Sequence, residues 1–376
     1  LDAEKLSVTI KAEFSSGTMI LFKICSNHNH PIKAWFQTAL FMLLFLIPTA
    51  AFGIPSRSGP PCVIENATTV IDQAGRRIRG NKPFTRIVSL YGAHTENLFR
   101  IGAGKAVIGG TRHEVYPPEA TTLPAFSYHD DPEKFLAARP DLVLIRPMID
   151  RAYPQLMTRL EKSGITVCSL QPKTADDLYT YWEILGILTG NRARALHMTR
   201  RFHTALQQFR ELGQSVSHPK RVYFEAIHHR MKTFMPHSMA IFALETAGGI
   251  HIAPDAIASR DTNIGNYGKE HILAHAAEID VFLAQVGVMN QVTKTMIRNE
   301  PGFSAIKAVQ TNQIYLIDEM IVSRPSFRLL QGIHTIGRLL YPTVFNEKAD
   351  LVMQKARNTG QDDIDFPDIE SKNRTN

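Results

Sequence analysis

"RIVSLYGAHTENLFRIG", residues 86–102, decides how the chain is read. Ile87-Val88-Ser89-Leu90 has the length and apolarity of a short buried strand. Gly92 breaks it, and Thr95-Glu96-Asn97-Leu98 begins a helical pattern. Tyr91, Ala93 and His94 sit on the turn between them. A strand that ends in a polar loop opening a helix is where α/β proteins place a site.

The same alternation runs outward from this stretch. Strands are expected over 86–90, 106–109, 141–145 and 165–169, with helices over 95–102, 132–138 and 151–163. That is a βαβ series, which requires a parallel sheet. Ahead of it, "TTVIDQAGRRIRG" reads as two short strands turned at Asp72 to Gly75. From Thr174 the strand signals stop. Asp176 and Asp177 suit a helix start, Gly186 and Gly190 punctuate the run and Asn191 restarts it, and Leu196, Phe202, Leu206 and Phe209 recur at helical spacing, so about forty residues read as nearly continuous helix. Strands then return at 221–227, 281–286 and 313–318, between helices at 238–247, 269–278 and 327–342. The expected fold class is α/β: two parallel-sheet, Rossmann-like lobes joined by one long rigid helix. The expected divisions are a pre-sequence and signal peptide (1–53), an N-terminal lobe (54–173), a connecting helix (174–213), a C-terminal lobe (214–345) and a frayed polar tail (346–376).

Hydrophobic content of 44% and charged content of 20% are ordinary for a globular protein. The formal net charge of +7 is spread thinly, without the dense Lys/Arg run that nucleic acid would call for. No nucleic-acid partner is expected, and a modest bias toward an anionic ligand is. Lys23 and Lys33 precede an apolar run from about Phe36 to Ala51, followed by small residues. This is the pattern of a signal peptide cleaved near Ala51 or Gly53, with Met19 as a plausible start. The run is shorter than the ~20 residues of a spanning helix, so a soluble, exported, periplasmic protein is expected. An exported compartment permits a Cys62–Cys168 disulfide, although spacing cannot place the two sulfurs within reach.

"VIDQAGRRI", "RIVSLYGAHTENLFRIGAGKAVIGG", "PEKFLAARPDLVLI", "LGILTG", "LETAGG" and "SRPSFRLLQGIHTIGRLLYP" occur in that order from about Thr69 to Phe345. In this set the chain resembles the periplasmic substrate-binding proteins of ABC importers for cobalamin, ferric siderophores and haem. The resemblance implies a monomer that captures an iron or cobalt chelate between its lobes and delivers it to an inner-membrane ABC permease. It implies no intrinsic cofactor and no enzymatic activity. It also matches Glu133 and Glu270, near the starts of two helices, to the pair of glutamates that dock on the permease. One departure concerns the ligand: where the family often has a proline after the first strand, this chain has "YGAH", so the identity of the chelate does not carry over.

Ligand contacts are expected on loops at the C-terminal ends of strands. In the first lobe these are Tyr91, His94, His113, Tyr116, Tyr128 and His129. Rings stack on a flat chelate, and their polar tips reach its oxygens or its metal. In the second lobe "EAIHHRMKTFMPHSM" offers His228, His229, Met235 and His237, as cleft contacts or as an exposed polar loop. Arg324 and Arg328 could bind carboxylates or catecholates, or simply face solvent. Whether any of these ligates metal directly stays open. "HILAH" lacks the glutamate of a zinc-protease motif and reads as a surface face. "GAGKAVIGG" follows a helix and enters a strand, the reverse of a nucleotide loop. Two rival readings remain: an exported sensor or interaction module on the same fold, and a chelatase-like enzyme, for which no cysteine cluster or nucleophile–base motif is present.

Overall fold

The computed structural model describes residues 7–13, 19–25, 61–259 and 262–357. The chain divides after Ser56 into two units. In the first, Ser7–Glu13 (β1) pairs antiparallel with Met19–Cys25 (β2), a hairpin in a stretch for which no element was expected. The apolar run of the expected signal peptide and its cleavage sites lie outside the described residues.

The second unit opens with an antiparallel sheet of Val63–Asn66 (β3), Thr69–Ile71 (β4) and Arg77–Arg79 (β5). Asp72 makes the turn and is fully buried. One carboxylate oxygen accepts from the Ala74 and Arg76 amides, and the other accepts from Ser169 N–H at 2.8 Å. The "VIDQAG" turn is thereby tied to the lobe that follows.

That lobe is a parallel sheet of Ile87–Ser89 (β6), Val107–Gly109 (β7), Leu142–Ile145 (β8) and Thr166–Ser169 (β9), in the order β7-β6-β8-β9. Gly92–Arg100 (α1), Pro132–Ala138 (α2), Pro147–Ala152 (α3) and Pro154–Lys162 (α4) connect the strands. The helix expected over 151–163 is two, because Pro154 has no N–H to continue α3 and instead starts α4. Alternate strand residues serve different cores. Ile87, Leu142, Leu144 and Cys168 face one, while Val88, Val143, Ile145 and Val167 face the other. Burial on both faces is why these strands read as unbroken apolar runs.

The single connecting helix expected over 174–213 is a helical hairpin, Asp177–Thr189 (α5) and Arg192–Gln214 (α6). Gly190 takes the left-handed conformation (φ 70°) and the Asn191 amide bonds back to Gly186 O at 2.8 Å, which reverses the chain. At 23 residues, ~35 Å long, α6 is the connector, and α5 packs beside it.

The second lobe contains Arg221–Ile227 (β10), Lys232–Phe234 (β11), Met239–Thr246 (α7), Ile250–His251 (β12), Ile257–Ala258 (β13), Ile264–Asn266 (β14), Lys269–Ala274 (α8), Val281–Val286 (β15), Lys294–Asn299 (α9), Lys307–Gln310 (α10), Ile314–Asp318 (β16), Glu319–Val322 (α11) and Leu329–Leu340 (α12). Its sheet is mixed, which corrects the parallel-sheet expectation. β12, β10, β15 and β16 pair in parallel, while β11, β14 and β13 add an antiparallel edge. Met231 in the left-handed region (φ 48°) turns β10 back into β11. The tail after Phe345 is not all frayed: Glu347–Arg357 (α13) buries Ala349, Val352, Met353 and Ala356 against α6 and α12.

One apolar core passes through both lobes. It runs from Ile87, Leu98 and Leu142 through Trp182, Phe202 and Phe209 to Val222, Phe224, Leu330 and Ile336. Replacing Gly190 by alanine places a Cβ at positive φ and 2.8 Å from Pro83 Cγ. The variant is expected to lose about 1–2 kcal/mol, read by chemical denaturation; unchanged stability would show that the reversal does not depend on glycine.

Candidate functional site

The C-terminal ends of the two sheets meet. Glu96 and Asn97 lie on α1, just past the end of β6; Arg324, Pro325 and Arg328 follow β16 and α11. Asn97 Nδ2 donates to Pro325 O at 2.9 Å. Arg324 Nη1 donates to Glu96 Oε1 at 2.7 Å. Arg328 grips the same carboxylate twice, Nη2 to Oε1 at 2.6 Å and Nε to Oε2 at 3.0 Å. The side chain of Glu96 is 2% exposed and that of Arg328 7%. Such a bidentate, charge-assisted pair is strong, and the desolvation already spent on it makes removal of either partner costly.

Arg328 is therefore committed across the lobes, not to a ligand, which corrects that expectation. Its guanidinium also covers the Tyr116 ring at 4.4 Å. Tyr116 is 6% exposed and packs within this junction, so it too leaves the set of ligand contacts. Arg324 remains half-buried at the edge, with its fork lying where a side chain on Gly92 would fall.

Tyr91 caps the N-terminal end of α1 and is half-buried. Arg146, at the end of β8, lies over its ring at 4.5 Å. Burial pushes the Tyr91 hydroxyl above its ordinary range against the opposing pull of Arg146 and Arg324. His94 is a correction. It is wholly buried, with Nδ1 2.7 Å from Tyr181 Oη and Nε2 3.2 Å from Ile145 O. Burial depresses its pKa to about 3. It is a core histidine whose hydrogen bonds fix α1 to β8.

A shelf of rings lies beside this floor. Phe126 N–H bonds Gly110 O at 2.7 Å, so the chain runs alongside β7 and delivers Tyr128 and His129 to the same sheet edge. Tyr153, just after α3, joins them. Tyr128 and Tyr153 centroids are 4.9 Å apart, Tyr128 and His129 4.5 Å, and Tyr153 Oη lies 3.1 Å from His129 Nδ1. Residue type alone does not single out Tyr153 and Arg146; their signal is position, each falling within nine residues of the end of β8 in "IRPMIDRAY". His113 is exposed on the preceding loop. Val115 (55%) and Met148 (45%) are exposed on this edge, and Val288 (59%) and Met289 (54%) are exposed just past β15 of the second lobe. Exposed apolar side chains gathered at strand ends mark a binding surface.

In the second lobe His228 is buried. Its Nδ1 lies 2.9 Å from Glu225 Oε2, and its backbone N–H donates to Asn290 Oδ1 at 2.9 Å. The Glu225 bond raises the His228 pKa, and burial raises that of Glu225. This pair is internal, which removes His228 from the expected ligand contacts. His229 and His237 are exposed, and Met235 is half-buried against the second-lobe core. His229 Nε2 accepts from Arg230 Nε at 3.2 Å.

Glu133 and Glu270 are both exposed acids in the first turn of their helices, α2 and α8. Cys62 and Cys168 are free thiols; burial pushes Cys62 up to about 12 and Cys168 well above its ordinary value. Among the described residues no three His, Cys, Asp or Glu side chains converge as a metal site. A depression of about 440 Å³ lies away from the strands' C-terminal ends, lined by Arg210, Phe242, Glu245 and Ile250. It draws on the second lobe and α6 alone, whereas the junction of strand ends draws on both lobes.

A family model described as periplasmic binding protein matches residues 87–320. The ABC transporter substrate-binding lipoprotein YvrC of Bacillus subtilis is 24% identical over 294 residues, covering 74% of this chain and 87% of that protein. The vitamin B12-binding protein of Vibrio cholerae is 23% identical over 259 residues, covering 68% of this chain and 89% of that protein. Among solved structures, the periplasmic heme-binding protein RhuT of Roseiflexus sp. RS-1 superposes with a TM-score of 0.59 at 21% identity, covering 69% of this chain and 99% of that one.

Two outcomes follow from the junction. Glu96→Ala strands two guanidinium groups and is expected to cost about 3–5 kcal/mol in chemical denaturation; a loss below 1 kcal/mol would mean that the junction carries little. His94 is neutral in the fold while an unfolded histidine protonates near ~6.5. Its stabilisation is complete above that pH and is lost as pH falls toward its folded value of about 3. Melting temperature should fall below pH ~6.5 more steeply in the native chain than in His94→Gln. Parallel curves would contradict the assignment.

Proposed function

Since this chain belongs to the periplasmic binding protein family, we propose that it is the solute-binding component of an ABC importer, capturing a metal chelate between its lobes. The observation that carries this reading is the gathering of rings and exposed apolar side chains at the strand ends of both lobes. Tyr128, His129 and Tyr153 supply flat faces on the first lobe, and Val288 and Met289 supply apolar area on the second. That lining suits a large, partly flat ligand better than a free ion, and an iron or cobalt chelate of the siderophore, cobalamin or haem class has this character. Similarity to a vitamin B12-binding protein and a heme-binding protein lends support.

The mechanism is differential binding without a chemical step. Ligand seated on the ring shelf contacts both lobes and favours their closed arrangement, and docking on a permease favours release. Glu133 and Glu270 are the docking contacts in this reading: exposed, one per lobe, each free of an ion pair among the described residues. Carboxylates so placed can register the protein on two matching basic sites and steer its approach. The protein works as an exported monomer, a reading supported by the apolar leader in the sequence and by a lipoprotein relative.

Titration with haemin, cyanocobalamin and ferric siderophores, followed by intrinsic fluorescence and ligand absorbance, is expected to give saturable binding by one class. Binding by none would contradict the reading. The double variant Glu133→Ala with Glu270→Ala is expected to bind that chelate as the native chain does, yet to lose uptake in cells. Undiminished uptake would remove the docking assignment and favour the sensor alternative.

A further inference from the structure

Two guanidinium groups, those of Arg146 and Arg324, lie at the loop of Tyr91 and Gly92. Glu96 is shared between Arg324 and Arg328, so that triad carries an excess positive charge. Arg146 adds another. Its guanidinium lies over the Tyr91 ring at 4.5 Å, and its Nε is buried without a hydrogen-bond partner. Among the described residues no carboxylate pairs with it. The other buried acid nearby, Glu114, accepts through Oε1 from Thr95 Oγ1 at 3.2 Å and from the Thr111 amide and hydroxyl at 3.0 and 2.9 Å, and its Oε2 is buried without a partner. With Glu114 counted, the three guanidinium groups of Arg146, Arg324 and Arg328 still outnumber the carboxylates. A guanidinium stays charged at any pH the protein meets. Cations held partly out of water without counter-ions are costly, and a binding site that keeps them recovers that cost when an anion arrives.

We propose that Arg146, with Arg324 beside it, selects anionic chelates, reading a carboxylate or catecholate at the edge of a ligand whose flat body rests on the Tyr128–Tyr153 shelf. The Tyr91 ring holds the Arg146 fork by cation–π contact, leaving its remaining N–H donors to face the anion in bidentate geometry. Arg324 is already half engaged by Glu96 and contributes mainly charge. The inference rests on the metal-chelate reading and narrows it: haemin, with its propionates, and a ferric tris-catecholate are favoured over chelates of no net charge.

The test compares haemin and a ferric tris-catecholate with a neutral ferric trihydroxamate and cyanocobalamin, on the full chain, at low and high salt. The native chain is expected to prefer an anionic chelate, with salt weakening that binding most. In Arg146→Gln the ratio of anionic to neutral affinity should fall roughly tenfold or more, and Arg146→Lys should keep part of it. Should Arg146→Gln fail to fold, the preference and salt dependence of the native chain decide alone. Neutral chelates bound as tightly as anionic ones, or an affinity ratio unmoved in a folded Arg146→Gln, overturns this inference and leaves the chelate reading standing. Failure of every chelate to bind overturns both.

Discussion

A single buried carboxylate organises this molecule. Glu96 lies on α1, the helix that follows the first-lobe strand β6, and the arginines that neutralise it come from the second lobe. Because a carboxylate out of water must be paired, the two sheets are obliged to bring their C-terminal ends to the same place. The position of the candidate cleft follows from that obligation. The Asn97 bond to Pro325 O reinforces it, and Gly92 leaves the room in which Arg324 approaches.

Away from the junction, apolar packing limits how far the lobes can separate. One core threads both, and its middle is the hairpin of α5 and α6, where Trp182, Phe202 and Phe209 are buried. Opening the cleft widely would cut through that core. Small relative movements about the junction are the motions such an architecture permits, so ligand and permease would have to act through modest differences in fit. The proposed surplus of guanidinium charge lies at this same junction, where an arriving anion could add to the contacts holding the lobes together.

Much of the fold was legible because strands buried on both faces and helices of period 3.6 leave strong patterns. The first-lobe series and β10, β15 and β16 lie where apolar runs placed them. What was missed was short or local. Gly190 and Asn191 mark a break in the helical pattern, but helical spacing resumes within a few residues, and spacing alone does not say that the chain reverses there. The β11, β13 and β14 edge is two or three residues per strand, too short for a period to register. The C-terminal helix α13 is mostly polar, and four buried residues decide its place. For the site, loop position identified Tyr91, Tyr128 and His129 as strand-end residues. Sequence could not reveal that His94, Tyr116 and His228 turn inward, since burial depends on partners such as Tyr181, Arg328 and Glu225 that are distant in sequence or hidden by the turn. Nor could it pair Glu96 with residues more than two hundred positions away.

Whether the junction of strand ends is the ligand cleft is best tested by hydrogen–deuterium exchange of the chain, with and without a saturating bound chelate. The account predicts slowed exchange on both lobes at once, in residues 127–131, 146–153 and 287–290, with the core helices unchanged. Protection confined to one lobe, or centred on the depression lined by Arg210, Phe242 and Ile250, would contradict it.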